Sequence, residues 1–117
     1  MELYIGGFAQ GKTAYVKNRY SGRDVALYDD IHLWVRSNLE QGKDPVEETD
    51  RLLQQIREQE KQGSLAVIIG NEVGNGIVPA DPFEIQYRET VGRTLIRMAA
   101  EATHVERIVC GMGQRLK

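Results

Sequence analysis

One short stretch near the start constrains the fold and chemistry of this 117-residue chain more than any other. Residues 3–5 have strand character, and they lead directly into Gly6-x-x-x-x-Gly11-Lys12-Thr13. In a loop with this G-x-x-x-x-G-K-[ST] spacing, backbone N–H groups surround phosphate oxygens between a strand and a helix. Residues 13–19 contain neither proline nor glycine and can form that helix. The sequence therefore predicts a phosphate-binding loop after the first strand.

Every residue of this loop is a candidate nucleotide-binding residue. The loop comprises Gly6, Gly7, Phe8, Ala9, Gln10, Gly11, Lys12 and Thr13. We expect Lys12 to reach the β- and γ-phosphates as a point charge, which makes it a candidate catalytic residue. The Thr13 hydroxyl is expected to bind the Mg²⁺ that bridges those phosphates. The alternative interpretation is a plain glycine-rich turn between a strand and a helix.

Composition limits the partners and location that we expect. The formal net charge is −2, and acidic and basic residues are mixed along the chain, so nucleic acid is not an expected partner. No apolar run reaches the roughly 18–20 residues that span a bilayer, and no signal peptide is visible. The single cysteine, Cys110, follows Ile108 and Val109 and is expected to be a small core residue. These features predict a cytoplasmic protein with a single domain, residues 1–117.

Two adjacent aspartates follow the second apolar run of the chain. Residues 25–28 predict a short buried strand, which ends at Asp29 and Asp30. A carboxylate at the end of such a strand is typical of the metal-side acid of nucleotide-hydrolysing proteins with this loop. The sequence does not distinguish the two aspartates, and both could instead be solvated turn residues. His32, nearby at a helix start, could contact phosphate or have only a surface or packing role.

The third apolar run is the most strand-like part of the chain. Residues 65–70 are continuously apolar, which predicts a strand buried on both faces of the sheet. It is followed by Asn71 and Glu72. Because open α/β sheets bind ligands at the carboxyl ends of their strands, both are candidate site residues. We expect Glu72 to orient or deprotonate an attacking hydroxyl, or to help hold Mg²⁺.

The order of the predicted elements determines the fold class. Asp44-Pro45 and Asp81-Pro82 are both typical of helix starts, with aspartate as N-cap and proline as the first helical residue. Strands alternate with helices, which favours an α/β fold with a small, mostly parallel central sheet between helical layers. In the second of these helices Gly92 predicts a close packing contact. His104, at the following turn to a strand, is expected to be solvated.

Three later blocks of sequence resemble one particular family. The blocks are Asn71-Glu72-Val73-Gly74-x-Gly76-Ile77-Val78-Pro79, then Tyr87-Arg88-Glu89-x-x-Gly92-Arg93, then Gly111-x-Gly113-x-x-x-Lys117. Behind a phosphate loop, this order resembles the adenosylcobinamide kinase/adenosylcobinamide-phosphate guanylyltransferase family of cobalamin biosynthesis. Residues 29–39, with Trp34 and Asn38, resemble a further stretch of that family. The resemblance implies a three-layer P-loop NTPase fold of the RecA-like type.

The resemblance also implies an activity, part of which this chain is expected to lack. Family members phosphorylate a hydroxyl of adenosylcobinamide with ATP or GTP, then transfer GMP through a histidine. That histidine lies in a block between the first helix and the aspartate-ending strand, where this chain has only residues 20–24. His32 comes after the deletion and does not match the family histidine. We therefore expect kinase activity without guanylyl transfer.

A second class of function stays open on the sequence alone. Loss of a substrate-side block removes catalysis more readily than phosphate binding, so the chain could instead be a non-catalytic nucleotide-binding regulatory or partner protein. The family resemblance further implies a homo-oligomer, Mg²⁺ as cofactor and a corrinoid, adenosylcobinamide, as acceptor. The choice between ATP and GTP is not readable from the phosphate loop.

Overall fold

The computed structural model describes residues 1–73 and 80–117, which form an alternating series of strands and helices. In chain order these are β1 (Glu2–Gly6), α1 (Lys12–Arg19), β2 (Val25–Tyr28), α2 (Ile31–Glu40), α3 (Pro45–Lys61), β3 (Leu65–Asn71), α4 (Pro82–Glu101), β4 (His104–Val109) and β5 (Met112–Arg115). The predicted alternation is confirmed. Residues 74–79, part of the block that resembles the family, lie outside the described residues.

Within the described residues the strands form one sheet in the order β2-β3-β1-β4-β5. β1 lies in the middle and pairs in parallel with β3 and β4, and β2 pairs in parallel with β3. β5 pairs antiparallel to β4 at the far edge. The mostly parallel sheet expected from the sequence is therefore confirmed. The parallel pairing puts the carboxyl ends of β1, β2, β3 and β4 at the same edge of the sheet, where ligands of such folds bind.

Alternate residues of the strands contribute to two separate cores. One core joins the sheet to α2, α3 and α4, and its buried members include Leu3, Ile31, Leu53, Ile56, Ala66, Ile68, Met98 and Val105. The other joins the opposite face to α1, with Tyr4, Val16, Tyr20, Val67, Ile69 and Ile108. Adjacent strand residues such as Leu3 and Tyr4 point to opposite faces, as pleating requires. The described part of the chain thus has three layers, with α2, α3 and α4 on one face of the sheet and α1 on the other.

The two Asp-Pro sequences begin helices as predicted. The Asp44 side chain accepts hydrogen bonds from the backbone N–H groups of residues 46 and 47. The Asp81 side chain does the same for residues 83 and 84. Each aspartate therefore satisfies N–H groups that have no partner within the helix.

Two predictions about the end of the chain are wrong. Cys110 is exposed, because β4 ends at Val109 and the turn to β5 begins at Cys110, with φ of 51°. His104 is not solvated, because its side chain is 13% exposed and its Nε2 lies 2.5 Å from Glu106 Oε2. Residues two apart in a strand share a face of the sheet, so the Glu106 carboxylate lies against the His104 imidazole.

Two further predictions need correction. Gly92 does not mark a close contact, because a Cβ atom added there would meet no atom within 4 Å. The strand at Val25–Tyr28 is only half-buried, because β2 is an edge strand and Leu27 is 40% exposed. Among the described residues, no helix combines the length and the apolar character needed to cross a membrane.

Candidate functional site

The predicted phosphate loop lies between the central strand β1 and helix α1. Gly6 ends β1, and a Cβ atom there would lie 2.6 Å from the carbonyl oxygen of Ile108, so a larger residue does not fit. Gly11 is the N-cap of α1 and has φ of 83°, a left-handed conformation that glycine adopts without strain. The N-terminal end of α1 therefore faces the loop with free N–H groups and a partial positive charge, a combination that favours anions.

Lys12 folds back over the loop. Its side-chain nitrogen donates a 2.7 Å hydrogen bond to the carbonyl oxygen of Gly7, and the residue is 8% exposed. Burial is the largest influence on the pKa of Lys12 and lowers it. The negative charges of Asp30, Asp29 and Glu72 act in the opposite direction. Among the described residues, Lys12 is thus a buried cation without a carboxylate in direct contact, an arrangement that an anionic ligand would stabilise.

The two aspartates after β2 differ in their surroundings. Thr13 Oγ1 donates a long hydrogen bond of 3.4 Å to Asp29 Oδ2, and Asp29 Oδ1 accepts from the backbone N–H of Asp30 at 2.8 Å. Asp30 is the N-cap of α2 with φ of 53°, and its side chain makes no capping hydrogen bond. The structure therefore brings the carboxylate of Asp29 to the loop hydroxyl. The carboxylate of Asp30 makes no capping hydrogen bond, and its charge acts on Lys12 and His32.

These oxygens suit Mg²⁺. Magnesium prefers oxygen ligands, keeps several water molecules, and is usually held by one or two carboxylates together with substrate phosphates. Thr13 Oγ1 and Asp29 Oδ2 offer a hydroxyl and a carboxylate on the same side of the loop. Their chemistry therefore fits the cofactor expected from the sequence.

Glu72 has a partner that the sequence did not reveal. Its backbone N–H donates to the carbonyl oxygen of Gly6 at 2.8 Å, which joins the end of β3 to the start of the loop. Its Oε2 accepts a 3.1 Å hydrogen bond from Nε of Arg107, on β4. The two side chains meet across β1, which separates their strands in the sheet. Arg107 is one of two charged residues in β4, next to Glu106, so no sequence signal singled it out.

The turn between β4 and β5 holds the loop from the other side. The side-chain oxygen of Gln10 accepts a 2.8 Å hydrogen bond from the backbone N–H of Cys110. The carbonyl oxygen of Gln10 accepts a second, also 2.8 Å, from the backbone N–H of Gly111. Gln10 thus links two segments that are far apart in the sequence.

A buried carboxylate fixes the same hairpin to α1. Glu106 is 4% exposed and accepts hydrogen bonds from Tyr15 Oη at 2.6 Å and Arg19 Nη1 at 2.8 Å. Burial acts to raise the pKa of Glu106, but the hydrogen bonds from Tyr15 and His104 and the positive charge of Arg19 outweigh it and lower the pKa. Tyr15 Oη occupies the space where Gly113 would carry a side chain. The carboxylate is therefore ionised and anchors the helix that follows the loop.

His32 belongs to the same edge of the sheet. It is 8% exposed, and its Nδ1 accepts a 3.2 Å hydrogen bond from the backbone N–H of Asn71. Burial is the main cause that lowers the pKa of His32, and the positive charge of Lys12 contributes in the same direction. Of the sequence-predicted site residues that are described, the structure thus gathers the loop, Asp29, Asp30, Asn71 and Glu72 at one edge, with His32 beside them.

Comparison with known proteins agrees with this geometry. A family model described as cobinamide kinase/cobinamide phosphate guanyltransferase matches residues 6–116. The bifunctional adenosylcobalamin biosynthesis protein CobU of Salmonella typhimurium is 41% identical over 51 residues, covering 44% of this chain and 28% of the relative. The Escherichia coli protein of the same name is 33% identical over 84 residues, covering 64% and 46%. The chain thus spans less than half the length of these curated relatives. Because the family model matches nearly the whole chain, the protein belongs to the cobinamide kinase/cobinamide phosphate guanyltransferase family.

Proposed function

We propose that this chain, as a single domain, binds ATP or GTP with Mg²⁺ in the loop at residues 6–13 and phosphorylates the alcohol group of adenosylcobinamide. The observation that carries the proposal is the buried Lys12 ammonium, which has only the Gly7 carbonyl oxygen as hydrogen-bond partner among the described residues. Phosphate oxygens would replace this weak partner with negatively charged ones. The N-terminus of α1 supplies further N–H donors to the same place.

Each polar group has a role in this proposal. Lys12 holds the β- and γ-phosphates and stabilises the charge that develops during transfer. Thr13 and Asp29 hold Mg²⁺, which when bound neutralises phosphate charge. Glu72 orients the acceptor hydroxyl, and Arg107 fixes the position of that carboxylate through the 3.1 Å hydrogen bond.

We infer no guanylyl transfer for the chain, because neither of its two histidines offers a suitable nucleophile. A nucleophilic imidazole needs a ring nitrogen with a free lone pair. His32 Nδ1 already accepts from the Asn71 N–H. His104 pairs with Glu106 and is opposite Glu2 in the sheet, at the end of β1 remote from the loop. Helix α1 ends at Arg19 and β2 begins at Val25, so the connection is too short for a further helix.

One contact favours the alternative of a nucleotide-binding regulatory or partner protein without catalysis. The Glu72 carboxylate, the candidate base, is hydrogen-bonded to the Arg107 guanidinium. A carboxylate oxygen that already accepts from a guanidinium is less available to bind an acceptor hydroxyl. In this alternative, Glu72 and Arg107 only brace the loop.

Labelled nucleotides distinguish the two functions. Purified protein is incubated with Mg²⁺ and with ATP or GTP labelled at either the α- or the γ-phosphate, with and without adenosylcobinamide. Appearance of γ-label on the corrinoid is expected for the kinase. Nucleotide binding without transfer supports the alternative, and covalent α-label on the protein would overturn the loss of guanylyl transfer.

Two variants test the loop itself. Lys12→Ala should abolish tight nucleotide binding, whereas Lys17→Ala, which removes an exposed lysine from the same helix, should leave it unchanged. Equal affinity of the parent and Lys12→Ala would refute the assignment of the loop.

Size-exclusion chromatography with light scattering tests the expected self-association.

A further inference from the structure

His32 is fixed at the end of the sheet by one of its two ring nitrogens. The residue lies in the first turn of α2, which directly follows Asp29 and Asp30. Its Nδ1 accepts the backbone N–H of Asn71, the last residue of β3. An imidazole nitrogen that accepts a hydrogen bond carries no proton, so we assign a neutral ring with its hydrogen on Nε2. The hydrogen bond therefore determines both the tautomer and the orientation of the ring.

The Nε2–H group is a donor that the described residues leave unused. Within residues 1–73 and 80–117 it has no hydrogen-bond acceptor. In the same part of the chain, no fully buried side-chain nitrogen or oxygen lacks a partner. Nε2 must therefore reach accessible space, although the residue as a whole is buried. A buried ring with one nitrogen anchored and the other open is positioned to contact a ligand.

The surroundings of the ring indicate what kind of ligand. His32 follows Asp29 and Asp30 in the first turn of α2, and its partner Asn71 is opposite Gly6, the first residue of the loop, in the sheet. The ring therefore lies near the loop, and the charges of Asp30, Lys12 and Asp29 all act on it. In loops of this type the lysine and the Mg²⁺ meet at the β- and γ-phosphates. A neutral N–H donor in that position matches a phosphoryl oxygen.

We infer that His32 donates a hydrogen bond from Nε2 to the terminal phosphoryl group of a nucleoside triphosphate bound in the loop. The inference rests on the proposed nucleotide binding and deepens it by naming a residue that distinguishes triphosphate from diphosphate. The contact is not covalent, because the lone pair of this tautomer lies on Nδ1 and faces Asn71.

Two substitutions of His32 test the roles of its two ring nitrogens separately. Asparagine at position 32 retains an acceptor near Nδ1 and removes the Nε2 donor, whereas glutamine places an amide N–H near Nε2. Dissociation constants for MgATP, MgADP, MgGTP and MgGDP are measured by calorimetry for the parent, His32→Asn and His32→Gln. We expect His32→Asn to weaken triphosphate binding about tenfold or more and diphosphate binding little, since hydrogen bonds to charged groups have this strength. His32→Gln should recover most of the lost affinity.

The ratio of triphosphate to diphosphate affinity is the decisive quantity, because partial unfolding lowers both affinities equally. Leu33→Ala changes an exposed neighbour, 52% exposed, and should leave the ratio unchanged. The inference is overturned if His32→Asn keeps the parent ratio or if His32→Gln shows as large a loss as His32→Asn. If the parent binds no nucleotide, or if Lys12→Ala binds as well as the parent, the proposed function fails and this inference fails with it.

Discussion

Alanine in place of Gly113 should destabilise the protein, because the space for a side chain is already filled. A Cβ atom at Gly113 would lie 2.2 Å from the hydroxyl oxygen of Tyr15 and 2.3 Å from Oε1 of Glu106. One of these groups would have to move, which breaks the hydrogen bond between them. A hydrogen bond to a charged group contributes roughly 1.5–3 kcal/mol, and the reduced entropy of the unfolded chain offsets about 0.4–1 kcal/mol. The free energy of unfolding should therefore fall by about 0.5–2.6 kcal/mol.

Gly92→Ala is a matched substitution with the opposite expected sign. Gly92 lies within α4, where an added Cβ atom would meet nothing within 4 Å. Alanine is favoured over glycine in a helix interior by about 1 kcal/mol, so this variant should be more stable by that amount. Urea unfolding followed by far-UV circular dichroism measures both variants. For a chain of this size, 1 kcal/mol corresponds to roughly 3–6 °C in Tm.

Tyr15→Phe tests the mechanism assigned to Gly113. Tyr15→Phe already lacks the hydroxyl that donates a hydrogen bond to Glu106. Gly113→Ala should therefore lower the free energy of unfolding less in the Tyr15→Phe protein than in the parent. A Gly113→Ala protein as stable as the parent would refute the reasoning. The same conclusion follows if Tyr15→Phe leaves the cost of Gly113→Ala unchanged.

Three further predictions concern the loop and its charged surroundings. Gln10→Ala removes the acceptor for the Cys110 N–H, so nucleotide affinity measured by calorimetry should fall about three- to tenfold; unaltered affinity would show that the hairpin does not hold the loop. Asp29→Asn should weaken the Mg²⁺ dependence of nucleotide binding more than Asp30→Asn, because the Asp29 carboxylate accepts the loop hydroxyl; a larger effect of Asp30→Asn would reverse the assignment. Folding lowers the pKa of Glu106 from its ordinary value of 4.5. The ionised carboxylate therefore stabilises the folded protein above pH 4.5, and this stabilisation is lost as the pH falls through the lowered pKa. Urea unfolding across this pH range should show a weaker acid dependence for Glu106→Gln, and an equal dependence in both proteins would contradict this.

Local signals in the sequence predicted most of the framework. The Asp44-Pro45 and Asp81-Pro82 pairs specify helix starts through contacts within a few residues, and the structure has those contacts. The apolar run at residues 65–70 predicted a strand buried on both faces, and β3 is such a strand. The fixed spacing of Gly6, Gly11, Lys12 and Thr13 predicted a loop between a strand and a helix, and the structure has that loop between β1 and α1.

Interactions between distant parts of the chain were not readable. The Arg107 contact with Glu72 depends on the order of strands, and a sequence pattern does not specify that order. The wrong prediction of a buried Cys110 has the same origin. A tight turn into the antiparallel edge strand begins at Cys110, so β4 ends one residue before the apolar run does. For His32, the sequence left two roles open, and only the hydrogen bond from Asn71 shows which nitrogen is available.

The central position of β1 has a consequence for the order of events during synthesis. This strand leads into the predicted phosphate loop and precedes both of its neighbours in the chain, with Leu3 opposite Ile68 on one side and Val105 on the other. Neither neighbour exists until much of the chain has been translated, and contacts so distant in sequence form slowly. A nascent chain that stops before Val105 would leave one edge of β1 unpaired. The nucleotide binding proposed above would therefore stabilise the folded state by mass action only late in translation, when β4 has been added.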